Sequence, residues 1–321
     1  MDKKNMGLTG KQITIIGVGN IGFRYLQAIL KIEDIYSILL VEPQIEDLKQ
    51  KLKREISLIN PKIKILKDIS SSVFKSDLII VSTTSKVRLK IIQLLINNDY
   101  SGALILEKVL FPNLPTLKEG EKIIRKLKGS IYVNQWMRLS PLKQILMDKG
   151  NCNLEIKIKG NFGILCNSVH YIDLVNEIYK LNDLRFYREN SFFNSIINSK
   201  RIGFNELIGC LAYKSKEKNI KLILEDSVIN PKTNDIEIFI KDTKNLNVYD
   251  QKNNTLISRK DNLSYQIPLL SEHSVYSIKD ILNKKVPVIP SIEKSIKHHY
   301  LFLNSLKDLL GEQKFNEISI T

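Results

Sequence analysis

Three glycines near the start of the chain have the spacing of a loop that binds a dinucleotide. Gly17, Gly19 and Gly22 follow an apolar run at residues 13–16 and precede a helical pattern. In such a loop the first glycine permits a tight turn, the second lets the backbone approach a pyrophosphate, and the third lets helix and strand pack closely. The phosphates then meet the positive end of the helix dipole. The alternative is a fold of this kind that binds no ligand. The predicted cofactor contacts in the loop are Gly17, Gly19, Asn20, Ile21 and Gly22.

One acid is placed to select between the two nicotinamide dinucleotides. Glu42 comes twenty residues after Gly22, at the end of the predicted second strand, where an acid binds the adenosine ribose hydroxyls. A 2′-phosphate there would meet like charge, at a cost on the order of 4 kcal/mol. Glu42 therefore favours NAD, with NADP the less favoured cofactor. The alternative is a solvent-facing acid at a strand end.

Hydroxyl side chains end the predicted fourth strand, at residues 82–85. Ser82, Thr83 and Thr84 are predicted to contact the cofactor, because hydroxyl and N–H groups at a helix start can bind ribose or phosphate. The alternative is that Thr84 or Ser85 caps the following helix.

Lys108 follows the predicted fifth strand, and open α/β sheets bind their ligands at the carboxyl ends of the strands. An ammonium group there can donate to the oxygen on a reacting carbon and stabilise developing charge. Glu107 is either structural or a partner of the lysine, and both residues are candidates for cofactor contact. In a chain this rich in lysine, the alternative for Lys108 is a solvated surface position.

His170 and Asp173 are spaced to share one face of a helix. An imidazole titrates near neutrality and suits proton transfer to or from a hydroxyl, while Asp173 could orient the imidazole or bind substrate. The alternative is a satisfied polar pair at a helix start. His298 and His299 are adjacent on a predicted helix and point apart, so we predict no metal site.

Strand and helix patterns alternate through the first part of the chain, which predicts a parallel sheet covered by helices. The strands are nearly continuous in Ile, Leu and Val, as strands buried on both faces should be. The predicted strands are residues 12–16, 37–41, 62–66, 77–81, 103–106 and 130–133, and the predicted helices are 21–31, 45–58, 86–98 and 116–126.

After about residue 138 several strands alternate apolar and polar residues, which suits an antiparallel sheet with one wet face. These strands are predicted at residues 155–159, 207–213, 220–224, 236–240, 247–249 and 255–258, with helices at 169–181, 274–282 and 291–310. The predicted class is α/β. A doubly wound Rossmann domain at residues 1–136 precedes an α+β domain with a largely antiparallel open sheet at 137–290, a C-terminal helix occupies 291–321, and a cleft separates the two domains.

The composition is ordinary for a globular chain except for its charge. Of 321 residues, 43% are hydrophobic, and the three cysteines form no C-x-x-C pair, which fits a reducing compartment and a cytoplasmic location. The net charge of +15 comes from lysines spread along the whole chain rather than from a patch, so we predict no nucleic-acid partner. The first apolar run is too short for a signal or a membrane span, so we predict no membrane association.

Four motifs, in order, resemble those of the Gfo/Idh/MocA oxidoreductase family, from about residue 12 to residue 181. After the glycine loop, the family's Glu-Lys-Pro signature falls on residues 107–109 and its Asn…Arg…Pro segment on residues 134–141. Its Gly-rich stretch ending in His-x-x-Asp falls on residues 160–173. The chain departs from the family where Val109 replaces the proline, and where Cys166 and Ser168 replace a frequent acid and glycine.

This resemblance implies roles for the candidate residues. Lys108 and His170 are then catalytic, and Asp173, Asn167 and Arg138 bind substrate. It also implies a sugar-type small-molecule substrate and a homodimer or homotetramer.

The sequence thus predicts an NAD-dependent oxidoreductase that transfers a hydride between nicotinamide and a CH-OH group of a sugar or sugar derivative. A nucleotide-activated or acidic sugar of surface polysaccharide synthesis is the more specific hypothesis. Two alternatives stay open. One is a non-catalytic NAD-binding sensor or scaffold. The other is a reductase of an imine or tetrapyrrole, which would need an apolar cleft formed by Phe186, Phe192 and Phe193.

Overall fold

The computed structural model describes residues 10–56, 60–150, 152–227, 236–240, 242–259 and 262–320. The chain forms two compact units, each assembled from three segments. The first unit comprises Met1–Glu107, Glu119–Asn134 and Leu270–Ile292, and the second comprises Lys108–Lys118, Gln135–Leu269 and Glu293–Thr321.

A parallel sheet organises the first unit. Its strands are β1 (Lys11–Ile16), β2 (Ile35–Val41), β3 (Ile63–Leu66), β4 (Leu78–Val81), β5 (Ala103–Leu106) and β6 (Ile131–Val133). The intervening helices are α1 (Asn20–Ile29), α2 (Ile45–Glu55), α3 (Ser85–Asn97) and α4 (Leu114–Ile124). Among the described residues the strand order is β3-β2-β1-β4-β5-β6, with every pairing parallel. The order reverses between β1 and β4, the position where such sheets bind ligands. The predicted Rossmann architecture is confirmed.

A mixed sheet organises the second unit. Its strands are β7 (Leu154–Gly160), β8 (Arg185–Phe186), β9 (Phe192–Asn198), β10 (Asn205–Ser215), β11 (Ile220–Asp226), β12 (Ile236–Ile240), β13 (Asp242–Asp250), β14 (Thr255–Ser258) and β15 (Leu263–Gln266). In the described part of the chain the order is β15-β14-β13-β12-β7-β11-β10-β8, and β9 pairs with β10. Among the described strands of this sheet, β7 and β11 pair in parallel and the other pairings are antiparallel. These pairings confirm the predicted largely antiparallel sheet. Strands β11 and β12 also bury alternate residues, as expected for a sheet with one buried face.

The second unit also carries helices α5 (Leu142–Met147) and α6 (Ile164–Tyr179), and α6 begins earlier than predicted. The sequence predicts its start at residue 169, whereas the helix starts directly after Gly163. The reason is long-range capping: the N–H of Gly163 donates to Asp226 Oδ2 at 2.7 Å, and that of Leu165 to Glu206 Oε2 at 2.9 Å. These carboxylates satisfy N–H groups that a helix start leaves without intrahelical partners.

The C-terminal part contains α7 (Leu270–Leu282), α8 (Ile292–Leu310) and α9 (Glu312–Glu317). Helix α7 belongs to the first unit, where Ile278 and Ile281 lie in the same apolar core as β1 and α1. The units therefore differ from the predicted division at residue 136, because the buried face of α7 packs into a core formed far away in sequence.

Candidate active site

The glycine loop joins β1 to α1, and its backbone requires glycine at two positions. Gly17 has φ +85°, in the left-handed region, and a Cβ there would lie 2.8 Å from Thr83 Cγ2. A Cβ on Gly22 would overlap the carbonyl oxygen of Gly17. The loop is thus tightly packed against its own helix and against the segment that follows β4.

The third glycine faces open space. A Cβ on Gly19 would meet no described atom within 4 Å. In the described part of the chain no side chain caps the start of α1, and no acid lies in its first turn. The Ile21 side chain packs on the core, while Asn20 Oδ1 accepts a bond from Lys51 Nζ at 3.2 Å. The loop therefore offers backbone N–H groups and a helix dipole to an anion, which fits a dinucleotide pyrophosphate.

Glu42 lies beside this loop, just after β2. Its Oε2 accepts the backbone N–H of Val18 at 2.8 Å, and its Oε1 accepts that of Gln44 at 3.3 Å. Both bonds fix the carboxylate next to the residue between the first two loop glycines. This geometry is compatible with the predicted ribose contact.

The segment after β4 supports the glycine loop. Ser82 Oγ donates to the carbonyl of Gly17 at 2.6 Å. Thr84 precedes α3, and its side chain makes no capping hydrogen bond within the described part of the chain, so capping by Thr84 is not observed, while capping by Ser85 stays an alternative. Arg88, which is 1% exposed, donates to the carbonyl of Thr83 at 2.6 Å. Sequence reasoning missed Arg88, although its spacing from buried positions four and seven residues later places it on the inner face of α3.

Glu107 has a structural setting in the first unit. It is buried, and its Oε1 accepts bonds from Tyr25 Oη at 3.1 Å and from Asn134 Nδ2 at 2.6 Å. Burial first, and then the Glu107 carboxylate, raise the pKa of Tyr25 well above its usual value, so Tyr25 stays a hydrogen-bond donor. These bonds favour the structural role that the sequence left open for Glu107.

Lys108 begins the second unit and contacts the first turn of α6. Its Nζ donates to Asn167 Oδ1 at 2.9 Å, to the carbonyl of Cys166 at 3.0 Å and to Cys166 Sγ at 3.1 Å. The Asn167 amide in turn donates to the carbonyl of Phe162. The peptide bond between Lys108 and Val109 is cis, although Val109 is not proline. In the structure the predicted catalytic lysine therefore forms a hydrogen bond with the predicted substrate-binding asparagine.

His170 lies one turn beyond Asn167 on the same face of α6. Its side chain is buried, and its ring packs edge-on against Trp136 with 5.9 Å between ring centroids. Because residues three apart share a helix face, Asn167, His170 and Asp173 form one row along α6. Lys108 sits at the N-terminal end of this row.

Asp173 ends the row in a buried network. Arg138 donates to both of its oxygens, through Nε and Nη2, at 2.6 Å each, and the two side chains are 5% and 0% exposed. The Gln135 amide, oriented to satisfy both of its ends, donates to Asp173 at 2.7 and 3.0 Å. His298 Nδ1 lies 3.1 Å from Asp173 Oδ1. Both Arg138 and Asp173 are predicted to bind substrate, but the structure engages them with each other, so direct contact would require opening this pair.

The two acids that cap α6 were missed by sequence reasoning. Burial is the main cause that raises the pKa of Glu206 to about 7, opposed by the Leu165 N–H and the charge of Lys108. Burial likewise raises the pKa of Asp226 to about 6. Glu206 lies on β10 and Asp226 on β11, so only the pairing of these strands brings both acids to the helix start.

The described residues contain neither a cluster of metal ligands nor a membrane-spanning helix. No three His, Cys, Asp or Glu side chains in the described ranges are grouped so as to hold a metal ion. His298 approaches Asp173, whereas His299 Nδ1 contacts the carbonyl of Ser295 at 2.7 Å, so the two imidazoles have different neighbours. Among the helices described here, none has the length and apolar character needed to cross a bilayer.

Over nearly its whole length, the similarity of this chain to known proteins is found in the structure and not in the sequence. The sequence matches no protein-family model, and no curated protein matches it either. A probable dehydrogenase from Thermotoga maritima has 16% identity and a TM-score of 0.65, covering 96% of this chain and 100% of its own. UDP-N-acetylglucosamine 3-dehydrogenase from Acidithiobacillus ferrooxidans has 12% identity and a TM-score of 0.62, covering 95% and 99%. Biliverdin reductase from Synechocystis, solved with biliverdin and NADP+, has 9% identity and a TM-score of 0.67, covering 94% and 99%.

These similarities extend over nearly the whole length of each chain. At this level of identity they show the fold alone: a Rossmann-like parallel sheet followed by a mostly antiparallel sheet, shared with these dehydrogenases and reductases. The architecture that the sequence motifs predicted is confirmed.

Proposed function

We propose that this protein is an NAD-dependent oxidoreductase that transfers a hydride between nicotinamide and a CH-OH group of a sugar or sugar derivative. The observation that carries the proposal is the glycine loop, with open space at Gly19 and the Glu42 carboxylate bonded to its backbone. Neighbours of the same fold that are named dehydrogenases support it, including one named for a nucleotide-activated sugar.

The first unit supplies the cofactor site in this proposal. Backbone N–H groups at the start of α1 hold the pyrophosphate, and Glu42 accepts hydrogen bonds from the adenosine ribose hydroxyls. Ser82 keeps the loop closed through its bond to Gly17. When bound, the nicotinamide accepts or donates the hydride.

Lys108 and His170 supply the chemistry at the substrate oxygen. The three donor hydrogens of the Lys108 ammonium face Asn167, the Cys166 carbonyl and the Cys166 thiol. A thiol is the weakest of these acceptors, so the substrate oxygen replaces it at the least cost. In the oxidation, His170 takes the hydroxyl proton while Lys108 stabilises the charge that develops on that oxygen; in the reduction, His170 returns the proton.

Asn167 and the buried ion pair position these groups. The amide of Asn167 holds Lys108 through its oxygen, and a substrate hydroxyl is its further proposed partner. Arg138 and Asp173 anchor the later turns of α6. Substrate contact by either of these two stays a prediction, and their mutual bonds favour a positioning role.

Titration of the purified protein with NADH and with NADPH, followed by nicotinamide fluorescence, tests this proposal. We expect tighter binding of NADH, and a loss of about 1.4 kcal/mol or more of this preference in Glu42→Ala, because the like-charge repulsion of a 2′-phosphate is removed. Glu46→Ala, which removes an exposed acid of α2, should behave as the native protein. Equal or tighter NADPH binding by the native protein would contradict the assignment of Glu42.

A reductase of a tetrapyrrole is a second candidate, because biliverdin reductase of Synechocystis shares the fold. The aromatic residues predicted to line its cleft have separate neighbours. Phe186 packs against Tyr213 with 6.3 Å between ring centroids, and Lys314 Nζ lies 4.4 Å from the ring centre of Phe193. A screen that offers NADH with biliverdin, and NAD with UDP-sugars, separates the candidates. A sensor or scaffold would bind the cofactor without turnover.

We also propose a homodimer or homotetramer. Measurement of the molar mass of the protein in solution tests this assembly.

A further inference from the structure

The second unit contains a cleft of whose lining the proposed reaction uses only Arg138, as a positioning residue. It has a volume of about 340 Å³ and lies between α6 and α8. This volume is in the range of small-molecule sites, roughly 300–1,000 Å³. Its lining includes four cations and one acid, together with the imidazole of His298: Arg138, Lys180, Lys294, Lys297 and Glu177. Cations therefore outnumber acids among the described residues that line it.

Glu177 alone faces three of these cations. Its carboxylate lies 2.9 Å from Lys180 Nζ, 3.1 Å from Arg138 Nη1 and 3.5 Å from Lys294 Nζ. Burial by itself would raise the pKa of Glu177, but the bond from Lys180 and the charges of Arg138, Lys180 and Lys294 outweigh it and lower that pKa. Glu177 thus faces three cations, of which Arg138 is also paired with Asp173, and Lys297 adds a fourth cation to the lining.

The direction of α8 makes its first turns an unfavourable place for cations. Lys294 and Lys297 lie in the first two turns, at the positive end of the helix dipole, where acids are the stabilising residues and where the first turn carries the acid Glu293. Residues three and four apart share a helix face, so Lys294 repels its like-charged neighbour Lys297. Lys180 lies at the carboxyl end of α6, where the helix dipole favours a cation, so only the lysines of α8 are unfavourably placed.

We propose that this cleft binds the phosphoryl group of a small phosphorylated metabolite, at a site separate from Lys108. A phosphoryl group offers several acceptor oxygens, and ammonium and guanidinium groups offer only donors. Asn176 and Asn182 add amide donors to the lining. Asn167 and Glu177 are ten residues apart on α6, which corresponds to about 15 Å along the helix, so the cleft is distinct from the lysine site.

Calorimetric titration of the full chain with inorganic phosphate and with pyrophosphate, at about 0.15 M salt, tests the proposal. The native protein should bind pyrophosphate saturably, and Lys294→Ala/Lys297→Ala should bind it about tenfold or more weakly, because two charged donors are lost. Lys307→Ala removes a lysine of the same helix outside the cleft and should bind as the native protein does.

The same three proteins are titrated with NADH, which should bind all of them equally, so failure of this proposal is distinguishable from failure of the cofactor site. Both substituted lysines of the double variant are exposed, and melting temperatures check that it folds. If it does not fold, Lys297→Glu alone should weaken pyrophosphate binding. The proposal would be overturned if the native protein showed no saturable binding of pyrophosphate. It would also be overturned if the native and substituted proteins bound pyrophosphate equally, which is the result expected if pyrophosphate binds only at the glycine loop.

Discussion

The glycine loop of the first unit and the lysine site of the second unit are built in opposite ways. The loop is one short segment of the chain whose backbone N–H groups are proposed to bind the cofactor. Gly17 and Gly22 are required in it because they have no side chain. The lysine site consists of side chains from distant segments: Lys108 meets Asn167 from 59 residues away. The buried pair of Arg138 and Asp173 spans 35 residues.

This difference determines how each site should fail. A backbone site is damaged by adding atoms, whereas a side-chain site is damaged by removing a partner and leaving a buried charge behind. Each of the following predictions tests one side of this contrast.

The largest effect is expected from Arg138→Met, which leaves Asp173 buried without its bidentate partner. Breaking a buried ion pair by removing one member should lower the free energy of unfolding by about 3–5 kcal/mol. Urea denaturation measures it. The matched control is Arg125→Met, which removes an exposed partner of Glu121 and should cost about 1 kcal/mol or less. Equal losses in the two variants would show that the network does not stabilise the second unit.

Lys108→Met should lower turnover by about 10²–10³-fold, since it removes the donor to the reacting oxygen. The affinity for NADH should stay within about twofold, because the proposed pyrophosphate and ribose contacts come from the glycine loop and Glu42; a larger loss would support the predicted contact of Lys108 with the cofactor. Stopped-flow measurement of nicotinamide absorbance, with the sugar that supports turnover in the screen, checks this. Lys128→Met serves as the control, because that lysine is exposed. Unchanged turnover in Lys108→Met would point instead to the sensor hypothesis.

Glu206→Gln tests the capping of α6 through the pH dependence of stability. Burial raises the pKa of Glu206 from 4.5 to about 7, so the folded state holds this proton more tightly than the unfolded state does. The stability from this proton is fully present below about pH 4.5 and is lost as the pH rises through about 7, a change of roughly 3 kcal/mol.

Glutamine keeps the acceptor for the Leu165 N–H but does not ionise. Between pH 4 and pH 8 the native protein should therefore lose about 3 kcal/mol of unfolding free energy relative to Glu206→Gln. The charge of Asp226 also raises the pKa of Glu206, so the same comparison in an Asp226→Asn background isolates the contribution of Glu206. Glu189→Gln, an exposed position of the same unit, should follow the native protein. If the unfolding free energies of the native protein and of Glu206→Gln changed equally with pH, the pKa of Glu206 would not be raised in the folded state.

The sequence allowed the local parts of this account to be predicted. The glycine loop, Glu42 and Lys108 could be proposed from the sequence because each belongs to a short motif at the end of a strand. The alternation of strand and helix patterns was sufficient to predict the parallel sheet. The start of α6 was placed too late because its caps, Glu206 and Asp226, come from other strands. The grouping of α7 with the first unit was missed for the same reason: its core partners lie far away in sequence.

The most direct test of the central claim compares two glycines of the same loop. Gly19→Val places its side chain in open space, so the variant should melt like the native protein and bind NADH about tenfold or more weakly, because the side chain occupies the pyrophosphate position. Gly22→Ala forces a methyl group against the Gly17 carbonyl and should instead destabilise the fold. Unchanged NADH affinity in Gly19→Val, with unchanged stability, would contradict the assignment of this loop as the dinucleotide site.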